Sequence, residues 1–232
     1  NARFVPPYGS GASLYLRPLL IGTGARVGVH PADEYLLIIF VTPVGPYFKE
    51  GFKPVKVQII RDYDRAAPLG TGHIKVGGNY AASLIASERA HAEGFSTVIF
   101  LDAKEKKYID EAGPANFFGI KDNTYITPDS NSILPSITNM SLRQIAESIG
   151  LKVERRHIPI EEIETFEEAG ACGTAAVISP IGEIFDRDNN KHIVFSKDGQ
   201  VGPTCVKLYE KLLAIQTGDI QDEFNWVDVV EL

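Results

Sequence analysis

Cysteine is scarce in this 232-residue chain: only Cys172 and Cys205 occur. They stand far apart, form no Cys-x-x-Cys pair and have no histidine at metal-ligand spacing. That argues against a disulfide framework and a zinc site, and fits a reducing compartment. We therefore expect a cytoplasmic or organellar protein with no bound metal. Long hydrophobic runs are also missing. The longest, "YLLIIFV" from Tyr35 to Val41, is strand-sized, far short of the roughly 18 residues that suggest a membrane span. Positive charge is in deficit, with 23 Lys and Arg against 30 Asp and Glu and a net charge of −7. No basic cluster is interleaved with aromatics to follow a phosphate backbone, so nucleic acid is not an expected partner. The chain opens on "NARFVPPYGSG" without the basic and apolar regions of a signal peptide. We read residues 1–12 as the remnant of an interdomain linker, with something missing upstream.

What is present describes a globular chain, 44% apolar and 23% charged, long enough to bury a sizeable core. "SLYLRPLLI", "YLLIIFV" and "VKVQII" read as strands, with "TPVGPYFKEG" punctuating the second and third. A helix is expected from Asn79 to Gly94, with Leu84, Ile85 and Ala92 on one face. "STVIFLD" reads as a buried strand, and "KKYIDEAGPANFFGI" as two strands turning at Gly113-Pro114. "SILPSITNMSLRQIAESIG" reads as a strand-to-helix junction, with caps at Ser136 or Thr138. A strand (152–158), a short acidic helix (160–170), a strand (171–181) and a C-terminal helix (203–218) follow.

Five places carry groups suited to chemistry. Lys75 sits between glycine clusters in "LGTGHIKVGGNY". If Ile74 and Val76 desolvate it on a rigid strand, it becomes a free-amine nucleophile; otherwise it is a solvated hairpin lysine. Glu111, at a strand end before Gly-Pro, is either a turn glutamate in water or a buried anion able to keep a ring nitrogen protonated. Ile137 and Thr138 open a helix whose first N–H groups suit a phosphate, although every capped helix offers as much. In "ACGTAAVISP", the N–H groups of Thr174 and Ala175 could receive an anion, or the segment could be a structural bulge. Tyr15 and Arg17, two apart, share one face of a strand, where the guanidinium could take a carboxylate or form a structural ion pair.

Taken in order, "LYLRPLLIGTG", "PVGPYF", "GHIKVGGNYAASL", "EAGPANFF", "ILPSIT" and "GTAAVISPI" resemble the branched-chain amino acid aminotransferases, fold-type IV enzymes that use pyridoxal 5′-phosphate. The likeness runs to the "IQTGDIQDEFNWV" tail. It implies an α/β fold with a mixed or antiparallel barrel-like sheet surrounded by helices. It also implies that residues 13–232 form the large, cofactor-binding domain, with the N-terminal small domain absent and activity impaired. Lys75 then resembles the lysine that carries the cofactor and moves the proton, Tyr80 the phenol at its O3′, and Glu111 the partner of its ring nitrogen. Ile137, Thr138 and Thr174 resemble the phosphate cup. Thr174 and Ala175 match the turn for the substrate carboxylate, while Tyr15, Arg17 and Val29 match the side-chain pocket. The implied reaction exchanges amino groups between leucine, isoleucine or valine and 2-oxoglutarate, in a homodimer.

Two departures stand out: Pro114 replaces a threonine of some relatives, and no Cys-x-x-Cys follows Thr174. A D-amino acid aminotransferase, an aminodeoxychorismate lyase and a non-catalytic scaffold are the competing readings.

Overall fold

A computed structural model describes residues 1–45, 51–196 and 198–230. Contacts within the chain divide it into two units, residues 1–49 with 228–232, and residues 50–227. The division falls inside the Pro/Gly-rich stretch after the second strand; Pro46, Tyr47 and Phe48 of "PVGPYF" lie outside the described residues.

The first unit is built on an antiparallel hairpin of β1 (Ser13–Thr23) and β2 (Glu34–Val44). β2 is rich in β-branched and aromatic residues, which suit a pleated surface, while β1 is rich in leucine.

The second unit contains strands β3 (Val55–Ile60), β4 (Thr97–Leu101), β5 (Ile109–Ala112), β6 (Ala115–Lys121), β7 (Thr124–Pro128), β8 (Lys152–Arg156), β9 (Glu168–Gly173), β10 (Val177–Asp186) and β11 (Lys191–Val194). Six of them close on themselves in the order β10-β3-β4-β5-β6-β9 and back to β10. The β10/β3 and β3/β4 pairings are parallel and the other four antiparallel. β7 and β8 extend the sheet from β6, and β11 from β10. The barrel-like mixed sheet with helices is thus the expected architecture.

Alternation along the strands sorts the side chains. Val57, Ile59, Ile99, Leu101, Phe117, Ala169 and Ala171 share one buried cluster. Ile60, Val98 and Phe100, from the opposite face of β3 and β4, pack on α1 (Gly77–Ala92). Phe118, Ile120 and Ile178 pack with α2 (Ile137–Ser148) and α3 (Pro203–Thr217).

Several sequence expectations give way here. Leu84 and Ile85 are exposed, and α1 buries Ala86 and Ala90 instead; small side chains let the helix lie close on the sheet. The segment 171–181 is no single strand but the end of β9, a turn at residues 174–176 and the start of β10. The acidic stretch forms a 3-10 turn, Ile160–Thr165. Residues 133–135 are irregular rather than a strand, because the Leu134 N–H bonds the Glu111 carboxylate instead of a neighbouring backbone.

Candidate active site

Lys75 is not on a strand. It lies in the loop between β3 and α1, one residue before the helix N-cap, Val76. Asn79, buried on the first turn of α1, shapes this loop by donating from Nδ2 to the carbonyls of Thr71 (2.6 Å) and Ile74 (2.9 Å) and accepting from the Thr71 hydroxyl (3.1 Å). The curl turns Ile74 toward solvent, so Lys75 is exposed and the expected desolvation by its neighbours does not occur. A partner on α1 orients it instead. Lys75 Nζ donates to the Tyr80 hydroxyl at 2.9 Å and lies 5.3 Å from the centre of that ring.

Glu111 ends in the opposite environment. It sits on β5 beside the Gly113-Pro114 turn, where Gly113 takes φ 58°, and only 3% of it is exposed. Oε1 accepts from Asn116 Nδ2 and from the Leu134 N–H, each at 2.9 Å. Oε2 lies 3.1 Å from Arg65 Nε. Burial raises the carboxyl to about 7, opposed first by the Arg65 charge, then by the Leu134 N–H and, most weakly, by Lys75; Asp110 adds to the rise.

The Leu134 bond anchors the segment that enters α2. Ser136 caps the helix by accepting from the Asn139 N–H at 3.2 Å. Ile137 and Thr138 occupy its first two positions, where N–H groups have no acceptor within the helix; Ile137 is exposed and Thr138 buried. Cys172, next to the other anion-binding candidate, pairs with Asn116 across β9 and β6. Thr174 and Ala175 follow in the exposed β9–β10 turn, which closes with Val177 at φ 61°.

A polar network joins these parts. Asn139 Nδ2 donates to Asn116 Oδ1 (3.0 Å) and Thr127 Oγ1 (2.8 Å), and its Oδ1 accepts from the Tyr125 hydroxyl (3.1 Å). Asn116 in turn reaches Glu111 and the Leu134 carbonyl. All three of Tyr125, Asn116 and Asn139 are buried. Sequence reasoning missed Arg65, Asn79, Asn116 and Asn139. The last three lie inside or beside the recognised motifs, and a polar residue in an apolar strand or helix was the available signal.

Tyr15, Arg17 and Val29 belong to the first unit. The Arg17 guanidinium lies over the Tyr15 ring, 5.0 Å from its centre, and Val29 is fully exposed in the hairpin loop.

The residues of the second unit fit pyridoxal phosphate by the chemistry of the donor set: an accessible primary amine held by a phenol, a buried acid able to pair with a ring nitrogen, and a helix N-terminus for a dianion. Among the described residues no cluster of three or more His, Cys, Asp or Glu could hold a metal, and no helix is long and apolar enough to cross a membrane.

Known proteins similar to this chain are aminotransferases. The branched-chain-amino-acid aminotransferase of Haemophilus influenzae is 51% identical, over all of this chain and 68% of its own length. The crystal structure of the Escherichia coli branched-chain amino acid aminotransferase superposes with a TM-score of 0.79 at 28% identity, covering 94% of this chain and 71% of that one. A further branched-chain amino acid aminotransferase, from T.th. and solved with pyridoxamine 5′-phosphate, gives 0.78 at 27%, covering 89% and 66%. With residues 4–184 matching its pattern as well, the chain belongs to the amino-transferase class IV family.

Proposed function

We propose that the protein containing this chain is a branched-chain amino acid transaminase, exchanging the amino group between leucine, isoleucine or valine and 2-oxoglutarate with pyridoxal 5′-phosphate held on Lys75. The observation that supports it most is the 2.9 Å bond between Lys75 Nζ and the Tyr80 hydroxyl. Bound pyridoxal phosphate supplies an aldehyde carbon to receive the amino group and an electron-poor ring to delocalise charge.

With the cofactor bound, Lys75 Nζ would take the proton from the substrate α-carbon and deliver it to the cofactor carbon that had been the aldehyde, and would carry it the opposite way in the second half of the reaction. Tyr80 fixes the direction of that amine. The Glu111 anion pairs with the ring nitrogen and keeps it protonated. The N–H groups of Ile137 and Thr138, with Thr174, hold the phosphate. Those of Thr174 and Ala175 receive the substrate α-carboxylate. Tyr15, Arg17 and Val29 are the residues of the first unit that this reading assigns to substrate recognition, Arg17 for the distal carboxylate of glutamate. A homodimer in the cytoplasm belongs to the same reading.

The test is direct. The purified chain is incubated with pyridoxal phosphate, reduced with borohydride and digested, and the peptides are weighed. A pyridoxyl mass on Lys75 is the expected result; a mass on another lysine, or on none, removes the reading.

A further inference from the structure

Arg65 lies in the loop after β3, with only 9% of it exposed. Its Nη2 donates to the carbonyls of Gly72 (3.3 Å) and Ser132, and its Nε lies 3.1 Å from Glu111 Oε2. The Nε–H does not point along that line, so among the described residues this donor has no hydrogen-bond partner and the attraction is one of charge. One side chain therefore touches the loop that carries Lys75, the strand that carries Glu111 and the segment that leads into α2. A buried guanidinium costs several kcal/mol of hydration unless it is paired, and its planar fork serves several acceptors in a way an ammonium cannot.

We propose that Arg65 is a positioning residue of the reaction, a buried strut that ties the lysine-bearing loop to the acid-bearing strand and supplies the counter-charge to Glu111. The inference rests on the reading of Glu111 and Lys75 as serving one cofactor. Its physical content is that, among the described residues, nothing else near Glu111 replaces this charge. Asp110, the next residue on β5, opposes ionisation, Lys75 acts weakly, and the Leu134 and Asn116 contacts are neutral donors. The Cys172 thiol, whose own ionisation Glu111 disfavours, carries no compensating charge. Without Arg65, burial prevails and Glu111 holds its proton, leaving no anion to pair with a protonated ring nitrogen.

The experiment uses the whole chain without cofactor, carrying 13C-carboxyl glutamate, with the Glu111 signal assigned by its loss in E111Q. R65Q is expected to move the Glu111 midpoint upward by about 1–3 pH units, and R65K, which keeps the charge, to restore most of that change. An unchanged midpoint in folded R65Q overturns the inference. Should R65Q fail to fold, the parent protein answers through the 15N signal of Arg65 Nε. That signal is expected to titrate with the same midpoint as Glu111, and a flat response overturns the inference. Pyridoxyl labelling of Lys75 is scored separately. Its absence in the parent defeats the proposed function and leaves the Arg65–Glu111 coupling measurable, whereas labelling with no coupling defeats this inference alone.

Discussion

Lys75 and Tyr80 face each other across the start of a helix, the amine donating to the phenol at 2.9 Å while its charge sits 5.3 Å from the centre of the same ring. Because Tyr80 belongs to the first turn of α1 and Lys75 to the loop before it, the helix sets the direction of an otherwise mobile side chain. The structure gives this lysine an orienting partner and no desolvation.

Separating the two components of that contact gives the first prediction. Tyr80→Phe keeps the ring face, worth about 0.5–1 kcal/mol to an exposed cation, and removes the acceptor. A hydrogen bond to a charged group contributes about 1.5–3 kcal/mol, so transamination by the complete enzyme should slow about 10- to 100-fold with pyridoxyl labelling of Lys75 retained. Lys75→Ala should abolish the label and slow the reaction by about 10²–10⁴-fold, the range for a positioned acid–base group. Steady-state rates and peptide masses on the same preparations check both.

Glu111 predicts the pH dependence of stability. Its folded-state midpoint, about 7, lies above the ordinary value of 4.5, so between these limits the native protein binds more protons than the unfolded chain. The contribution is fully present below the unfolded value and is lost as pH rises through about 7. At about 1.4 kcal/mol per pH unit the loss is about 3–4 kcal/mol. Urea unfolding of the cofactor-free chain from pH 4 to 8 should show this decline, and Glu111→Gln should flatten it. Identical slopes in the two proteins would refute the assignment.

Apolar runs such as Thr97–Leu101 made the strands legible, since a segment buried on both faces is nearly all apolar, and the Gly113-Pro114 turn was equally plain. The β9–β10 hairpin was hidden. Its turn has no Pro or Asn, and its left-handed residue is Val177, a β-branched side chain that disfavours φ 61°. The α1 face was misread because helical spacing does not say whether large or small residues meet the sheet. Lys75, Tyr80 and Glu111 stood out through their motifs. Arg65 did not, because its partners Gly72, Glu111 and Ser132 come together only when three separate segments pack.

The asparagine relay should behave as one unit. Asn139→Ala strands Asn116 Oδ1 and the Tyr125 hydroxyl, and Asn116→Ala strands Glu111 Oε1 on one side. Each change should cost about 1–3 kcal/mol, the penalty for a buried polar group left without a partner. Because the two residues share a bond, the double variant should lose less than the sum, by at least about 0.5 kcal/mol. Chemical unfolding of the four proteins measures the cycle, and strict additivity would show that the relay is not a unit.

The glycines around Lys75 divide by what a methyl group would meet. A Cβ on Gly72 would lie 2.0 Å from the Ser132 carbonyl oxygen and 2.6 and 2.8 Å from that residue's carbonyl carbon and Cα. These are backbone atoms with no rotamer to retreat into, and Arg65 bonds the carbonyls of both residues. A Cβ on Gly78, in the first turn of α1, meets nothing within 4 Å. Gly72→Ala should therefore destabilise the chain by well over the roughly 1 kcal/mol typical of point substitutions and lose labelling at Lys75. Gly78→Ala, which replaces a poor helix former by the best one, should raise stability by about 0.5–1 kcal/mol. Thermal melts of both variants decide the matter. Equal effects would mean that close approach at Gly72 is not what fixes the loop.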